Sequence, residues 1–117
     1  MAIAGERLWC GHFHDTRGMA LANVYAALEA GVNRFDASLA GIGGCPHAPG
    51  ASGNAATEDL AYMLASMRLD TGIDLPRLLD IARALPDIVG HPVPGQVAKA
   101  GRICELHPVP EGIPIPR

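Results

Sequence analysis

The chain has 117 residues, 49% of them hydrophobic, with 9 basic against 12 acidic side chains and a formal net charge of −3. That length suits one compact domain and excludes a complete eight-stranded α/β barrel, which takes about 250 residues. With Lys99 as the only lysine there is no basic field for a phosphate backbone, and no apolar run approaches the roughly 20 residues that span a bilayer, so neither nucleic acid nor membrane is an expected partner. Met1 to Arg7 lacks a basic segment followed by an apolar one, and Cys10, Cys45 and Cys104 form an odd, widely spaced set with no CxxC pair. The expectation is a soluble, non-exported protein of a reducing, cytoplasmic compartment.

Arg7 to His14 is short and of mixed apolar character, and reads as a strand that exits into the polar turn Asp15-Thr16-Arg17-Gly18. From Met19 to Ala30 the residues Ala20, Leu21, Val24, Ala27 and Leu28 recur at three- and four-residue spacing, which predicts a helix with one buried face, stopped by Gly31. Val32 to Ala40 sets Phe35, Ala37 and Leu39 against Arg34, Asp36 and Ser38, the alternation of a strand. Together these make a β-α-β unit, expected as a right-handed parallel crossover. Gly41 to Gly53 holds five glycines and two prolines in thirteen positions and is expected as a long irregular loop.

Asn54 reads as the N-cap of a second helix with an apolar stripe of Ala56, Leu60, Met63, Leu64 and Met67. Glu58 and Asp59 fall in its early turns, where the dipole favours them, and read as a solvated face. Asp74 caps a third helix over Leu75 to Leu85, with Leu78, Leu79, Ala82 and Leu85 inward and Pro86 ending it. Six of the ten prolines lie beyond His91, so residues 1–90 are expected as the folded part and 91–117 as an irregular, proline-rich tail with one helical turn at Val97 to Ala100.

Two residues apart on a strand, His12 and His14 point to the same face and can reach one cation, which makes His-x-His half of a metal site; the plainer alternative is two polar residues at a strand end. Cys45 lies on the glycine-rich loop, where access to solvent or substrate is favoured; its alternative is a small loop residue without a role. For Asn54 capping is the commoner task, though its amide oxygen also suits a hard cation. Asp15 and Asp36 are placed to orient an imidazole. Cys10 reads as core filler, while Cys104, His47, His91 and His107 read as incidental.

His12-Phe13-His14-Asp15-Thr16, Gly18, Ala20-Leu21-Ala22-Asn23, Glu29-Ala30-Gly31, Phe35-Asp36-Ala37-Ser38, Gly41-Ile42-Gly43-Gly44-Cys45-Pro46 and Ala48 through Asp59 together resemble hydroxymethylglutaryl-CoA lyase, over about Leu8 to Ala100. Related metal-dependent barrels share the His-x-His-Asp and Gly-Asn elements but not the Gly-Gly-Cys-Pro loop. The resemblance implies the C-terminal portion of a (β/α)8 barrel, with about two parallel strands, their helices, a C-terminal helix and an irregular tail. It implies cleavage of 3-hydroxy-3-methylglutaryl-CoA to acetyl-CoA and acetoacetate with Mg²⁺ or Mn²⁺. His12, His14 and Asn54 inherit metal ligation, His12 an acid-base role as well, and Cys45 the loop cysteine that assists proton transfer over the acyl-CoA substrate.

Family members also carry an aspartate ligand and an arginine on the first barrel strand, with no counterpart here, so weak metal binding and little turnover are expected of the chain alone. Arg17 and His47 fill positions that are commonly aromatic. Two strands cut from a closed barrel leave open edges, and a homo-oligomer or a complementing barrel fragment is the expected partner. The alternatives are a truncated, inactive paralogue or assembly subunit, and a lyase for a related acyl-CoA.

Overall fold

Gly11–His12 (β1) and Phe35–Asp36 (β2) pair in parallel, with Gly11 opposite Phe35 and His12 opposite Asp36, in a computed structural model that describes residues 9–45, 47–105 and 111–112. Regular pairing is shorter than the alternating pattern suggested because, among the described residues, β1 pairs with β2 alone. Arg7, Leu8, Pro46 and His107, which carry parts of the sequence reading, lie outside the described residues.

The helix Ala20–Glu29 (α1) joins the two strands and buries Ala20 and Val24, in line with its apolar spacing. It ends as expected at Gly31, whose φ of 91° turns the chain back while Val32 N–H donates to Ala27 O at 2.9 Å. Beyond β2, a turn at Leu39–Gly41 leads into the glycine-rich loop.

The chain then returns as a third extended segment that the sequence reading gave to a helix cap. Ser38 bridges Ala56 in parallel, and His14 bridges Asn54 in antiparallel sense. The next helix, Thr57–Ser66 (α2), therefore starts three residues after Asn54, with Ala56 at the N-cap position and no capping side chain. Asn54 cannot cap because Asn54 to Ala56 is held in bridges to His14 and Ser38.

The helix Leu75–Val89 (α3) is capped as expected, Asp74 accepting from Arg77 N–H at 3.2 Å. It does not stop at Pro86. A proline removes one helical hydrogen bond, but the half-buried Leu85, Pro86 and Val89 extend the apolar face, and the turn persists to Gly90, whose φ of 77° ends it. Part of the proline-rich stretch is also packed: Val93 and Gly95 are buried, and Ala98 lies inside a short helix, Val97–Ala100 (α4), where one helical turn was expected.

Two apolar clusters organise these elements. Val24, Leu60 and Leu64 gather Phe13, Leu21, Leu28, Phe35 and Met63 between α1, α2 and the strands. Leu79, Ala82 and Ala98 gather Leu39, Leu75 and Val97 between α3 and α4. Among the described residues no helix is long and apolar enough to cross a membrane.

Candidate active site

Four backbone hydrogen bonds tie the outgoing ends of the three extended segments together. Asp15 N–H donates to Gly53 O at 2.9 Å and Ala55 N–H to Phe13 O at 3.0 Å, while Ser38 N–H donates to Ala55 O at 3.0 Å and Thr57 N–H to Ser38 O at 2.9 Å. His12, His14 and Asn54 therefore come from sequence positions over forty residues apart to one end of the sheet.

As the strand spacing predicts, the two imidazoles are neighbours, with ring centroids 5.1 Å apart in an edge-on arrangement. The exposed His12 Nδ1 meets Asp36 Oδ1 across the β1–β2 pair. A neutral imidazole that donates from Nδ1 to a carboxylate has its lone pair on Nε2, the arrangement by which second carboxylates orient metal-binding imidazoles. Asp36 is thus where the sequence reading put it. Asp15 is not: its Oδ1 accepts Ala20 N–H at 3.0 Å and caps α1 instead of facing a histidine.

Asn54 presents its amide in a fixed orientation. Its Nδ2 donates to Ser38 Oγ at 3.0 Å and to Ile42 O at 2.9 Å, leaving Oδ1 as the accepting end. The second of these bonds is possible because Gly43, at φ 108°, lies so close that a Cβ there would stand 2.5 Å from Asn54 Nδ2. Glycine at that position serves both the backbone angle and the approach.

Cys45 stands apart. Its half-buried thiol makes no hydrogen bond to His12, His14 or Asn54; its carbonyl accepts Ala48 N–H at 3.1 Å in a turn of the loop. His47 is exposed, His91 Nδ1 meets only the neighbouring Pro92 O at 2.9 Å, Cys10 is half-buried and Cys104 exposed. His47, His91 and Cys104 make no described contact with His12, His14 or Asn54, and Cys10, expected as core filler, is half-buried rather than buried.

Among the described residues no three His, Cys, Asp or Glu side chains converge as a metal cluster. The donors at hand are two imidazole nitrogens and one amide oxygen. That mixed set suits a divalent cation of the Mg²⁺ or Mn²⁺ kind and falls short of the six ligands such an ion takes, so the fit is to part of a coordination shell.

One residue overturns its sequence reading. Glu58, expected on a solvated face, is 0% exposed, and its Oε2 accepts Ala40 N–H at 2.9 Å. Burial, helped by the charge of Asp59, pushes its carboxyl above the ordinary value near 4.5 against the lowering effect of the backbone donors. Ala61, buried three residues further along the same side of α2, is the one local hint. Asp59 is likewise engaged, accepting Gln96 N–H at 2.9 Å and Val97 N–H at 2.7 Å.

The chain is similar to several known lyases. Hydroxymethylglutaryl-CoA lyase YngG of Bacillus subtilis is 53% identical over 85 residues, covering 73% of this chain and 28% of that protein. The 3-hydroxy-3-isohexenylglutaryl-CoA/hydroxy-methylglutaryl-CoA lyase of Pseudomonas aeruginosa is 48% identical over 98 residues, covering 84% and 32%. The solved structure of an HMG-CoA lyase from Acinetobacter baumannii in complex with coenzyme A and 3-methylmalate superimposes with a TM-score of 0.82 at 55% identity, covering 86% of this chain and 33% of that one. Lyases named as mitochondrial and as cytoplasmic are both among the relatives. The chain spans about a third of the length of the relatives it matches, and its strands and helices are a portion of their α/β barrel. A model of the HMGL-like family matches residues 3–85, and the chain belongs to that family.

Proposed function

We propose that this chain carries the C-terminal share of the active site of a hydroxymethylglutaryl-CoA lyase, which splits 3-hydroxy-3-methylglutaryl-CoA into acetyl-CoA and acetoacetate. The observation that carries the reading is the joining of His12, His14 and Asn54 at one sheet end, with Asp36 on the far nitrogen of His12. Backbone bonds bring these three residues to one sheet end, and side-chain bonds to Asp36, Ser38 and the Ile42 carbonyl orient His12 and Asn54.

His12 through Nε2, His14 and Asn54 through Oδ1 would hold part of the shell of a Mg²⁺ or Mn²⁺ ion, which supplies charge stabilisation to the oxygens of the reaction. The rest falls to this chain's residues and the substrate. The tertiary hydroxyl loses its proton, to His12 where its Nε2 is not on the cation, its oxygen becomes the ketone of acetoacetate, and the C2–C3 electron pair passes to the thioester side. Cys45 then returns a proton to C2 of the acetyl-CoA enolate, and closure of the Gly41–Gly53 loop excludes water until that transfer is done. The free lone pair of His12 serves one task at a time. In a His12→Ala variant, retained Mn²⁺ affinity would assign His12 to the proton and lost affinity to the cation.

A related acyl-CoA is the second reading. It is favoured by the 48% identical P. aeruginosa relative with its longer acyl group, and by Arg17, exposed at φ 68° beside the His-x-His strand. The partner expected is a second copy or a complementing barrel fragment, supported by β1 pairing with β2 alone among the described residues and by Trp9, 74% exposed next to it. The cytoplasm is the proposed compartment. The chain alone is proposed to be an inactive or weakly active assembly subunit.

The test is cleavage of 3-hydroxy-3-methylglutaryl-CoA with Mg²⁺ or Mn²⁺ and a thiol reductant, by the chain alone and mixed with the remaining barrel part of a relative. Turnover lost in both Cys45→Ala and His14→Ala supports the reading. Turnover indifferent to both substitutions would overturn it.

A further inference from the structure

The residue at which β2 turns into the Cys45 loop is held from two directions by groups with no part in the chemistry above. Ala40 has a φ of 56°, a left-handed angle unusual for alanine, and is fully buried. Its N–H donates to Glu58 Oε2 at 2.9 Å, and its carbonyl accepts Gly95 N–H at 3.0 Å. The strained turn therefore has both backbone polar groups satisfied by α2 and by the segment that follows α3. Such a conformation persists only where its surroundings over-determine it.

The holding groups also meet each other. Glu58 Oε1 is buried without a hydrogen-bond partner among the described residues and lies against Gly95: a Cβ at Gly95 would stand 2.2 Å from it and 3.2 Å from Ala40 Cα. Gly95 has no positive φ, so its glycine is demanded by space rather than by backbone angle. The same segment touches the next residue of the turn, since a Cβ on Gly41, at φ 70°, would reach Pro94 Cγ at 2.9 Å. Asp59 fixes the far side of the segment through Gln96 and Val97. Cys45 follows Gly41 by four residues, and Asn54 returns to the same turn by its bond to Ile42 O.

We infer that Glu58, Gly95 and Ala40 form a latch by which the segment after α3 sets the exit angle of the loop carrying Cys45, with Glu58 and Gly95 as positioning residues for that loop. The inference rests on the proposed role of Cys45 only for its use in catalysis; the latch is a statement about loop geometry and is tested without turnover. A buried carboxylate with one oxygen on a strained amide and the other pressed on a glycine transmits any shift of the segment straight to the loop base.

The test is alkylation of Cys45 by iodoacetamide in the native full chain, followed by peptide mass, with the exposed Cys104 as internal reference. Gly95→Ala and Glu58→Ala are expected to change the Cys45 rate by about fivefold or more, the factor for one buried hydrogen bond, with Cys104 unchanged. Glu58→Gln, which keeps an oxygen for Ala40, is expected to restore the original rate. A Cys45 rate equal to the original in Gly95→Ala and Glu58→Ala overturns the latch, as does a Glu58→Gln rate that matches Glu58→Ala. Should the first two variants not fold, hydrogen exchange of the unaltered chain decides. Ala40 and Gly95 amides protected together, as strongly as Leu60 and Leu64, support the latch; either one exchanging like the open loop overturns it.

Discussion

Gly53→Ala tests whether the site is built by backbone contact. Gly53 has a φ of 98°, and a Cβ there would stand 2.4 Å from Gly41 O and 2.8 Å from Gly43 O. The left-handed backbone alone costs an alanine about 1–2 kcal/mol. The clash adds about 1–3 kcal/mol, because the atoms met are carbonyls of a second backbone segment rather than the end of a flexible side chain. The sum, about 2–5 kcal/mol, corresponds to a fall in Tm of about 8–20 °C at roughly 4 °C per kcal/mol for a chain of this size. Gly50 supplies the control: its φ is 79° and a Cβ there meets nothing within 4 Å. Gly50→Ala is therefore expected to show the angle term alone, about 4–8 °C. The assay is thermal unfolding followed by circular dichroism on both variants. Equal falls in Tm would refute the reasoning, since the contact between Gly53 and the Gly41–Gly43 carbonyls would then carry no energy.

Asp36→Ala is expected to weaken Mn²⁺ binding by about 10-fold to 100-fold, read by electron paramagnetic resonance, and unchanged affinity would remove Asp36 from the orientation of His12. Leu79→Ala empties a fully buried position against Ala82 and Ala98. It should cost about 2–5 kcal/mol in urea unfolding, with a loss below about 1 kcal/mol contradicting the second apolar cluster. Glu58 should make stability fall with rising pH. Its folded-state carboxyl titrates above 4.5, so the stability it contributes is whole below pH 4.5 and lost as pH rises through the folded value. Urea midpoints across that range should slope less in Glu58→Gln than in the unaltered chain, and equal slopes would contradict a buried carboxylate.

Local patterns made most of the secondary structure legible. The apolar spacing of α1, the Asp74 cap and the glycine stop at Gly31 are each decided within a few residues, and each is found where the pattern put it. The His12–His14 neighbourhood was legible for the same reason, since alternation along a strand needs no knowledge of the rest of the fold. Asn54 was misread as a cap because capping depends on what the preceding backbone does. Here Phe13, Asp15 and Ser38 pull that backbone into an extended segment. Glu58 was misread because its burial is imposed by Gly95, thirty-seven positions downstream in a stretch whose prolines suggested no packing at all. Pro86 marks the converse error, where a strong local breaker yields to a continuous apolar face.

The two-stranded sheet is slight, yet the placement of His12, His14 and Asn54 does not depend on its extent. Asp15 is bonded to Gly53, Ala55 to Phe13 and Ser38, and Thr57 to Ser38, so the ends of the three segments form a closed circuit of backbone bonds. His14 and Asn54 are bridge partners inside that circuit, and His12 is fixed to it through Asp36 on the neighbouring strand. The relative placement of His12, His14 and Asn54 therefore comes with this chain's own backbone. Cys45 is the exception. It lies on the loop that leaves the turn of Ala40 and Gly41, and none of the hydrogen bonds that join His12, His14 and Asn54 reaches its thiol.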